Sequence, residues 1–194
     1  MTGKQGAYFT YGLIGVNLLF FILEIVNGGS ENLDTLYFLG GLVPAKVFSG
    51  QWWRLLSANF LHFGWLHLLT NMIGLFFLGR FVELSLGAVR YLIVYFLSGV
   101  GGMLAFSLLA INLGDQEFIL VGASAAIMGL VGIITLLFLR LWYQEKSRLA
   151  AQRLTFLCLI IGVQFAFDIS SPDVSFLTHV FGMMIGFFTG MIIL

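Results

Sequence analysis

Charged residues are scarce in this sequence. Only 9% of its 194 residues are Asp, Glu, Lys or Arg, whereas ordinary soluble domains carry about 25%. The mean hydropathy is +1.03, which together with the low charge excludes a soluble globular domain. Nine basic residues balance nine acidic ones, so no nucleic-acid partner is expected. The composition places the chain in a lipid bilayer.

Cysteine and proline are nearly absent as well. The single cysteine, Cys158, excludes an internal disulfide framework and falls in an apolar run, where a small buried thiol is expected. The two prolines, Pro44 and Pro172, both lie between apolar runs. The predicted helices are therefore free of proline kinks.

Long apolar runs are abundant, and about 20 apolar residues suffice to cross a bilayer. Six candidate spans are predicted: Tyr8 to Val26, Leu61 to Leu78, Tyr91 to Leu113, Phe118 to Leu139, Leu154 to Phe167, and Phe176 to Leu194. The sequence predicts an all-α membrane protein, a six-transmembrane-helix bundle forming a single membrane domain over residues 1–194. The fifth span is short and precedes the turn-prone stretch 170–173, so we hypothesise that it is a mobile substrate gate.

Basic residues are distributed unevenly among the predicted loops. One side of the membrane receives Lys4, Arg80, Arg90, Arg140, Lys146, Arg148 and Arg153. The other side receives only Lys46 and Arg54. Because basic residues favour the cytoplasmic side, we expect a multi-pass protein with both termini cytoplasmic, in an inner or plasma membrane. The long outer loop, residues 27–60, is rich in apolar and aromatic residues and is expected to be ordered at the membrane interface.

Polar residues within the predicted spans are few, and they fall at similar depths. His62 and His67 lie in the second span, Ser124 in the fourth and His179 in the sixth. Asn71 follows His67 by four residues and therefore shares its helix face. Spans two, four and six run in the same direction, so these side chains share the outer half of the membrane. Polar groups at such depth are functional candidates because burying them in lipid is costly.

A serine and a histidine that meet have the parts for nucleophilic catalysis. Imidazole can take the proton of a serine hydroxyl and later return it to a leaving amine. His67, Asn71 and the backbone N–H of Ser124 can stabilise the oxyanion.

The carboxylates near the membrane boundaries are expected to have other roles. Glu24 and Asp168 are predicted at the outer ends of their spans, closer to water than the serine and histidine, which favours a dyad over a triad. For Glu24 and Glu83, snorkelling or a loop salt bridge is the default interpretation.

Small residues predict which helices pack together. Gly182, Gly186 and Gly190 recur at four-residue spacing in span six. Span four carries its own set: Gly122, Ala125, Ala126, Gly129 and Gly132. Such faces allow close backbone approach in lipid. Contact between spans four and six is therefore predicted, and it brings Ser124 towards His179.

Each of these residues also has an ordinary explanation. Ser124 can bond back to a carbonyl one turn earlier, His62 can make a structural hydrogen bond, and Asn71 can join two helices. A metal or haem site built from His62, His67 and His179 is a third possibility for the cluster. The coincidence of depth, sidedness and small-residue packing favours the catalytic interpretation.

The motifs together resemble the rhomboid family of intramembrane serine proteases. They are Trp53-Arg54, the stretch from His62 through His67 to Asn71, Gly79-Arg80 with Glu83 and Gly87, Gly122-Ala123-Ser124, and His179 with Gly182 and Gly186. Two positions depart from the pattern. Ala125 follows the serine where rhomboids often have Gly, and Met128 stands where an aromatic ring often packs on the catalytic histidine.

The resemblance implies an enzyme that needs no metal or cofactor. It implies Ser124 as nucleophile, His179 as base, and His67 with Asn71 as the oxyanion group, in a water-accessible cavity open to the outside. The implied substrates are transmembrane proteins cut within or near the bilayer. The alternative is a rhomboid-like pseudoprotease that binds and escorts membrane proteins, which an active-serine probe should not label at Ser124.

Overall fold

The computed structural model describes residues 6–114, 117–170 and 175–194, and these residues are mainly helical. The α-helices are α1 (Tyr8–Val26), α2 (Leu33–Leu39), α3 (Pro44–Phe48), α4 (Arg54–Ser57), α5 (Gly64–Gly74), α6 (Arg80–Leu86), α7 (Ala88–Leu113), α8 (Ser124–Glu145), α9 (Arg148–Ser170) and α10 (Phe176–Ile193). A 3₁₀ turn, Ala58–Phe60, follows α4, and a π-helical turn, Leu75–Gly79, joins α5 to α6.

Six helical segments are long and apolar enough to cross a membrane. They are α1, the continuous stretch Gly64–Leu86, α7, α8, α9 and α10. The predicted all-α bundle of six transmembrane helices is confirmed, and the protein is an integral multi-pass membrane protein.

The predicted bounds of spans two to five differ from those of the structure, and the differences in spans two, four and five affect the candidate site residues. The second span begins at Gly64, so His62 lies just before it. The fourth begins at Ser124, because residues 117–123 form no helix. The fifth is 23 residues long and starts at Arg148, since the helix continues through polar residues that lower its local hydropathy. The predicted turn at 170–173 falls largely at residues 171–173, which lie outside the described residues.

Helix α8 lies at the centre of the bundle and packs backbone against backbone on α10. A Cβ added to Gly182 would lie 2.9 Å from the carbonyl carbon of Ala125, and one added to Gly186 would lie 2.5 Å from the Cα of Gly129. Real Cβ atoms do not approach so closely, so only glycine permits this contact. The contact of spans four and six predicted from the small residues is present.

Helix α9 packs on the bundle along one narrow stripe. Its buried residues are Ala150, Leu157 and Asp168. Cys158, next to Leu157, is exposed, and the expectation of a buried thiol is wrong because only one face of α9 meets protein. The opposite face is available to lipid.

The loop between α1 and α5 is ordered by Arg54. This buried side chain donates from Nη1 to the backbone oxygens of Tyr37 and Gly41, at 2.9 and 2.7 Å. An isolated antiparallel bridge pairs Leu42 of the loop with Leu120, ahead of α8. Arg54 therefore fixes a loop that in turn positions the segment leading into Ser124.

Two buried carboxylates bind backbone N–H groups. Glu83 accepts from the N–H groups of Phe9 and Thr10 at the start of α1, at 3.0 and 2.8 Å. Glu24 accepts from the N–H of His62 at 2.9 Å. Both side chains are buried, so the expected snorkelling or loop salt bridge is wrong for them. Glu24 ties α1 to the segment that leads into α5.

Candidate active site

The predicted site residues occupy the beginnings of three spans. Ser124 is the first residue of α8, His67 the fourth of α5 and His179 the fourth of α10. Since successive spans cross in alternating directions, α5, α8 and α10 begin on the same side of the membrane. Asn71 lies one turn deeper than His67.

Gly122 lies between the His67 ring and the Ser124 hydroxyl. It adopts φ +127°, and a Cβ there would lie 2.7 Å from His67 Nε2 and 3.6 Å from Ser124 Oγ. Its N–H donates to the oxygen of Ala58 at 2.8 Å, which holds this turn against the loop. Both the backbone conformation and the absence of a side chain require glycine here. The two functional groups thus flank one glycine.

The hydrogen bond made by His67 assigns its tautomer. The backbone N–H of Phe63 donates to His67 Nδ1 at 3.3 Å. In a neutral imidazole whose Nδ1 accepts, Nε2 carries the proton. His67 therefore offers an N–H donor on the side facing Gly122.

Asn71 is buried and bonds to its own helix. Its Nδ2 donates to the oxygen of His67 at 3.0 Å. An amide nitrogen has two hydrogens, so one donor remains after this bond. The alternative of Asn71 as a link between helices has no hydrogen bond supporting it among the described residues.

His179 is buried and contacts a carboxylate. Its Nδ1 lies 2.6 Å from Asp168 Oδ2. The other oxygen, Asp168 Oδ1, accepts from Gln164 Nε2 at 2.7 Å. Asp168 is only 2% exposed, so the expectation that it lies nearer water than the histidine is wrong. The error came from ending span five at Phe167, since α9 continues to Ser170.

A sequence signal for Asp168 did exist. Leu157, Ile161, Gln164 and Asp168 follow one another at spacings of four, three and four residues, which places them on one helix face. Leu157 is buried in the core, and Ile161 packs against it. A carboxylate continuing an inward-facing stripe is expected to have a partner inside the bundle.

The α8–α10 contact lies close to both Ser124 and His179 in the chain. Gly182, three residues beyond His179, touches Ala125, which directly follows Ser124. Within residues 6–114, 117–170 and 175–194, no hydrogen bond joins Ser124 Oγ to His179. Such bonds are often long in enzymes without substrate and tighten on binding.

His62 contributes to the site as a neighbour of His67. The two rings meet edge to face with centroids 5.2 Å apart. Burial, with the adjacent His67 ring, lowers the pKa of His62 well below its usual value, so the ring is neutral. Among the described residues no three His, Cys, Asp or Glu side chains are arranged to hold a metal ion.

The fold and site define a class: a six-span membrane protein with a serine, two histidines and a carboxylate gathered near one end of its helices. Residues 49–194 match the Rhomboid domain. The chain belongs to the rhomboid family.

Several relatives support this assignment. The chain is 33% identical over 180 residues to rhomboid protease GluP of Bacillus subtilis strain 168, covering 93% of this chain and 34% of that protein. It is 38% identical over 162 residues to RHOMBOID-like protein 2 of Arabidopsis thaliana, covering 83% of this chain and 49% of the relative. RHOMBOID-like protein 5 of the same plant is 34% identical over 163 residues, which cover 84% of this chain and 51% of the relative. The chain thus spans between about a third and a half of the length of these relatives.

Proposed function

We propose that this protein is an intramembrane serine endopeptidase that cleaves transmembrane proteins, with Ser124 as nucleophile and His179 as general base. The excess of basic residues on one side supports a topology with both termini in the cytoplasm. In that topology the active site opens towards the outer face.

The observation that carries the proposal is the backbone contact between α8 and α10. Ser124 begins one of these helices, His179 lies in the first turn of the other, and Gly182 meets Ala125 beside them. A rigid contact between helices holds two reacting groups more precisely than loops do, which lowers the entropic cost of reaction.

The reaction follows from the groups present. Ser124 Oγ attacks the carbonyl carbon of the scissile bond while His179 Nε2 takes the hydroxyl proton. Collapse of the tetrahedral intermediate breaks the C–N bond, and the imidazolium returns its proton to the leaving amine. Water then hydrolyses the ester at Ser124, with His179 again taking and returning a proton.

Three donors support stabilisation of the oxyanion. His67 has its N–H on Nε2, on the side of Gly122 next to Ser124. Asn71 retains one amide hydrogen. The N–H of Ser124 lies in the first turn of α8, where backbone donors have no intrahelical acceptor. Removing one such donor typically lowers kcat about 10²- to 10³-fold.

The substrate must be unwound locally at the cleaved bond. The carbonyl of an intact helix is bonded within its own backbone and is not free for attack. Transmembrane segments with helix-destabilising residues near the outer face are therefore the favoured substrates.

The test is cleavage of a single-span reporter protein by purified enzyme in liposomes. Ser124→Ala and His179→Ala should each abolish cleavage while preserving the helical circular dichroism spectrum. The matched control is Ser107→Ala, which removes another buried helical serine, whose Oγ donates to Met103 O at 2.8 Å. This variant should cleave like wild type.

Cleavage retained by Ser124→Ala or His179→Ala would reject the assignment. Binding of the reporter by wild type without any cleavage would support the pseudoprotease alternative instead.

A further inference from the structure

Asp168 stands out among the buried polar groups because it reaches the site from a different helix. It is on α9, whereas Ser124 and His179 are on α8 and α10. A carboxylate inside a membrane bundle is costly unless it is paired or hydrogen-bonded. Both of its oxygens have partners here, Gln164 on one side and His179 on the other.

The geometry around the carboxylate constrains which atoms hold protons. The amide nitrogen of Gln164 can only donate, so Asp168 Oδ1 accepts. At 2.6 Å, the contact between Asp168 Oδ2 and His179 Nδ1 is slightly shorter than the roughly 2.7–2.9 Å of charge-assisted N–H···O hydrogen bonds. If Nδ1 donates to the carboxylate, the neutral ring has its lone pair on Nε2.

The two histidines then have opposite tautomers. His67 accepts at Nδ1 from Phe63 and has its proton on Nε2. His179 donates at Nδ1 to Asp168 and has a free Nε2. His67 can then donate a hydrogen bond from Nε2, as a group that stabilises an oxyanion must. His179 can accept a proton at Nε2, as a general base must.

We propose that Asp168 is a positioning residue that holds the Nδ1–H of His179, so that Nε2 faces the reaction as an acceptor, and that stabilises the imidazolium formed when Ser124 is deprotonated. This inference rests on the proposed function. Gln164 assists by fixing the rotation of the carboxylate. Asp168 itself does not exchange a proton in the reaction.

The first test compares Asp168→Asn with wild type in the liposome assay. The amide keeps the shape of the carboxylate but carries no charge to stabilise the imidazolium. By analogy with other carboxylate–histidine pairs, kcat should fall about 10²- to 10⁴-fold. KM should change less than about twofold, because Asp168 is buried behind the histidine and is not expected to touch substrate.

The control is Glu83→Gln, the same change at another buried carboxylate. Glu83 accepts hydrogen bonds at the start of α1, and among the described residues none of its hydrogen bonds involves a histidine. This variant should lose stability but retain wild-type kcat for each folded molecule. A kcat for Asp168→Asn within about twofold of wild type would overturn the proposal while leaving the proposed function intact.

The second test does not depend on activity. In ¹⁵N-histidine NMR of the wild-type protein in micelles at neutral pH, the His179 signals, identified by their loss in His179→Ala, should show a proton on Nδ1. A proton on Nε2 alone would overturn the proposal. If wild type fails to cleave any reporter, the proposed function fails, and this spectrum still decides whether His179 Nδ1 carries the proton that Asp168 is proposed to hold.

Discussion

Helices α8 and α9 adjoin each other but are held in the bundle in different ways. About two-thirds of the α8 span, 67%, is buried, against 11% of the α9 span. Helix α8 meets α10 backbone to backbone, whereas α9 contributes a single stripe of side chains. The serine and the histidine thus lie on the rigid part of the molecule, and the carboxylate lies on a helix that packs loosely.

The two helices therefore differ in how precisely they can hold a side chain. Attack by Ser124 requires the reacting atoms to be held within a fraction of an ångström. The close glycine contacts between α8 and α10 can hold them in this way. The Asp168–His179 pair, by contrast, spans the weaker α9–α10 contact. Any displacement of α9 would separate the carboxylate from the histidine before it disturbed Ser124. The gate hypothesis for span five stays a prediction, and the pair would link such a movement to catalysis.

The largest expected effect comes from adding one methyl group to α10. Gly186→Ala places a Cβ against the backbone of Gly129, which cannot move aside as a side chain would. We expect the free energy of unfolding to fall by about 3 kcal/mol or more, as measured by reversible unfolding in mixed SDS micelles.

The matched control is Gly162→Ala on α9. A Cβ at Gly162 meets nothing within 4 Å. The free energy of unfolding of this variant should therefore be within about 1 kcal/mol of the wild-type value, and any change should be stabilising because alanine favours the helix more than glycine does. Equal losses in the two variants would contradict the difference in packing between the helices.

A smaller effect is expected from truncating one leucine on each helix. Leu130 of α8 is fully buried, and Leu130→Ala should cost about 2–3 kcal/mol through the cavity it leaves. Leu157→Ala should cost less than about 2 kcal/mol, because α9 can settle or lipid can fill the space beside it. The same unfolding assay measures both. A larger loss at Leu157 would show that α9 is as tightly packed as α8.

Much of the fold could be predicted from the sequence because a bilayer restricts the possible structures. Six apolar runs give six helices, and the glycine spacing in the sixth span identifies its contact with the fourth. Ser124, His67 and His179 could be grouped by depth, since their helices run in the same direction. These inferences use only the length of the apolar runs, the spacing of residues along a helix and the alternating direction of successive spans.

The remaining features depend on contacts that apolar periodicity does not encode. The segment ahead of Ser124 is not helical, and Leu120 within it pairs with Leu42, far away in the chain. Asp168 was wrongly predicted to lie near water because the end of span five was inferred from hydropathy. Polar residues on the inward face continue the helix beyond that point. The tautomer of His67 follows from one backbone N–H, at Phe63, which is visible only in three dimensions.

The central claim is that the Ser124 hydroxyl is an activated nucleophile, and labelling with a fluorophosphonate tests it most directly. The serine oxygen displaces fluoride at phosphorus, and mass spectrometry of the digested protein locates the adduct. The account predicts one adduct, on the peptide containing Ser124, that is lost in Ser124→Ala and His179→Ala. An unlabelled wild-type protein of confirmed fold, or an adduct on another serine, would contradict it.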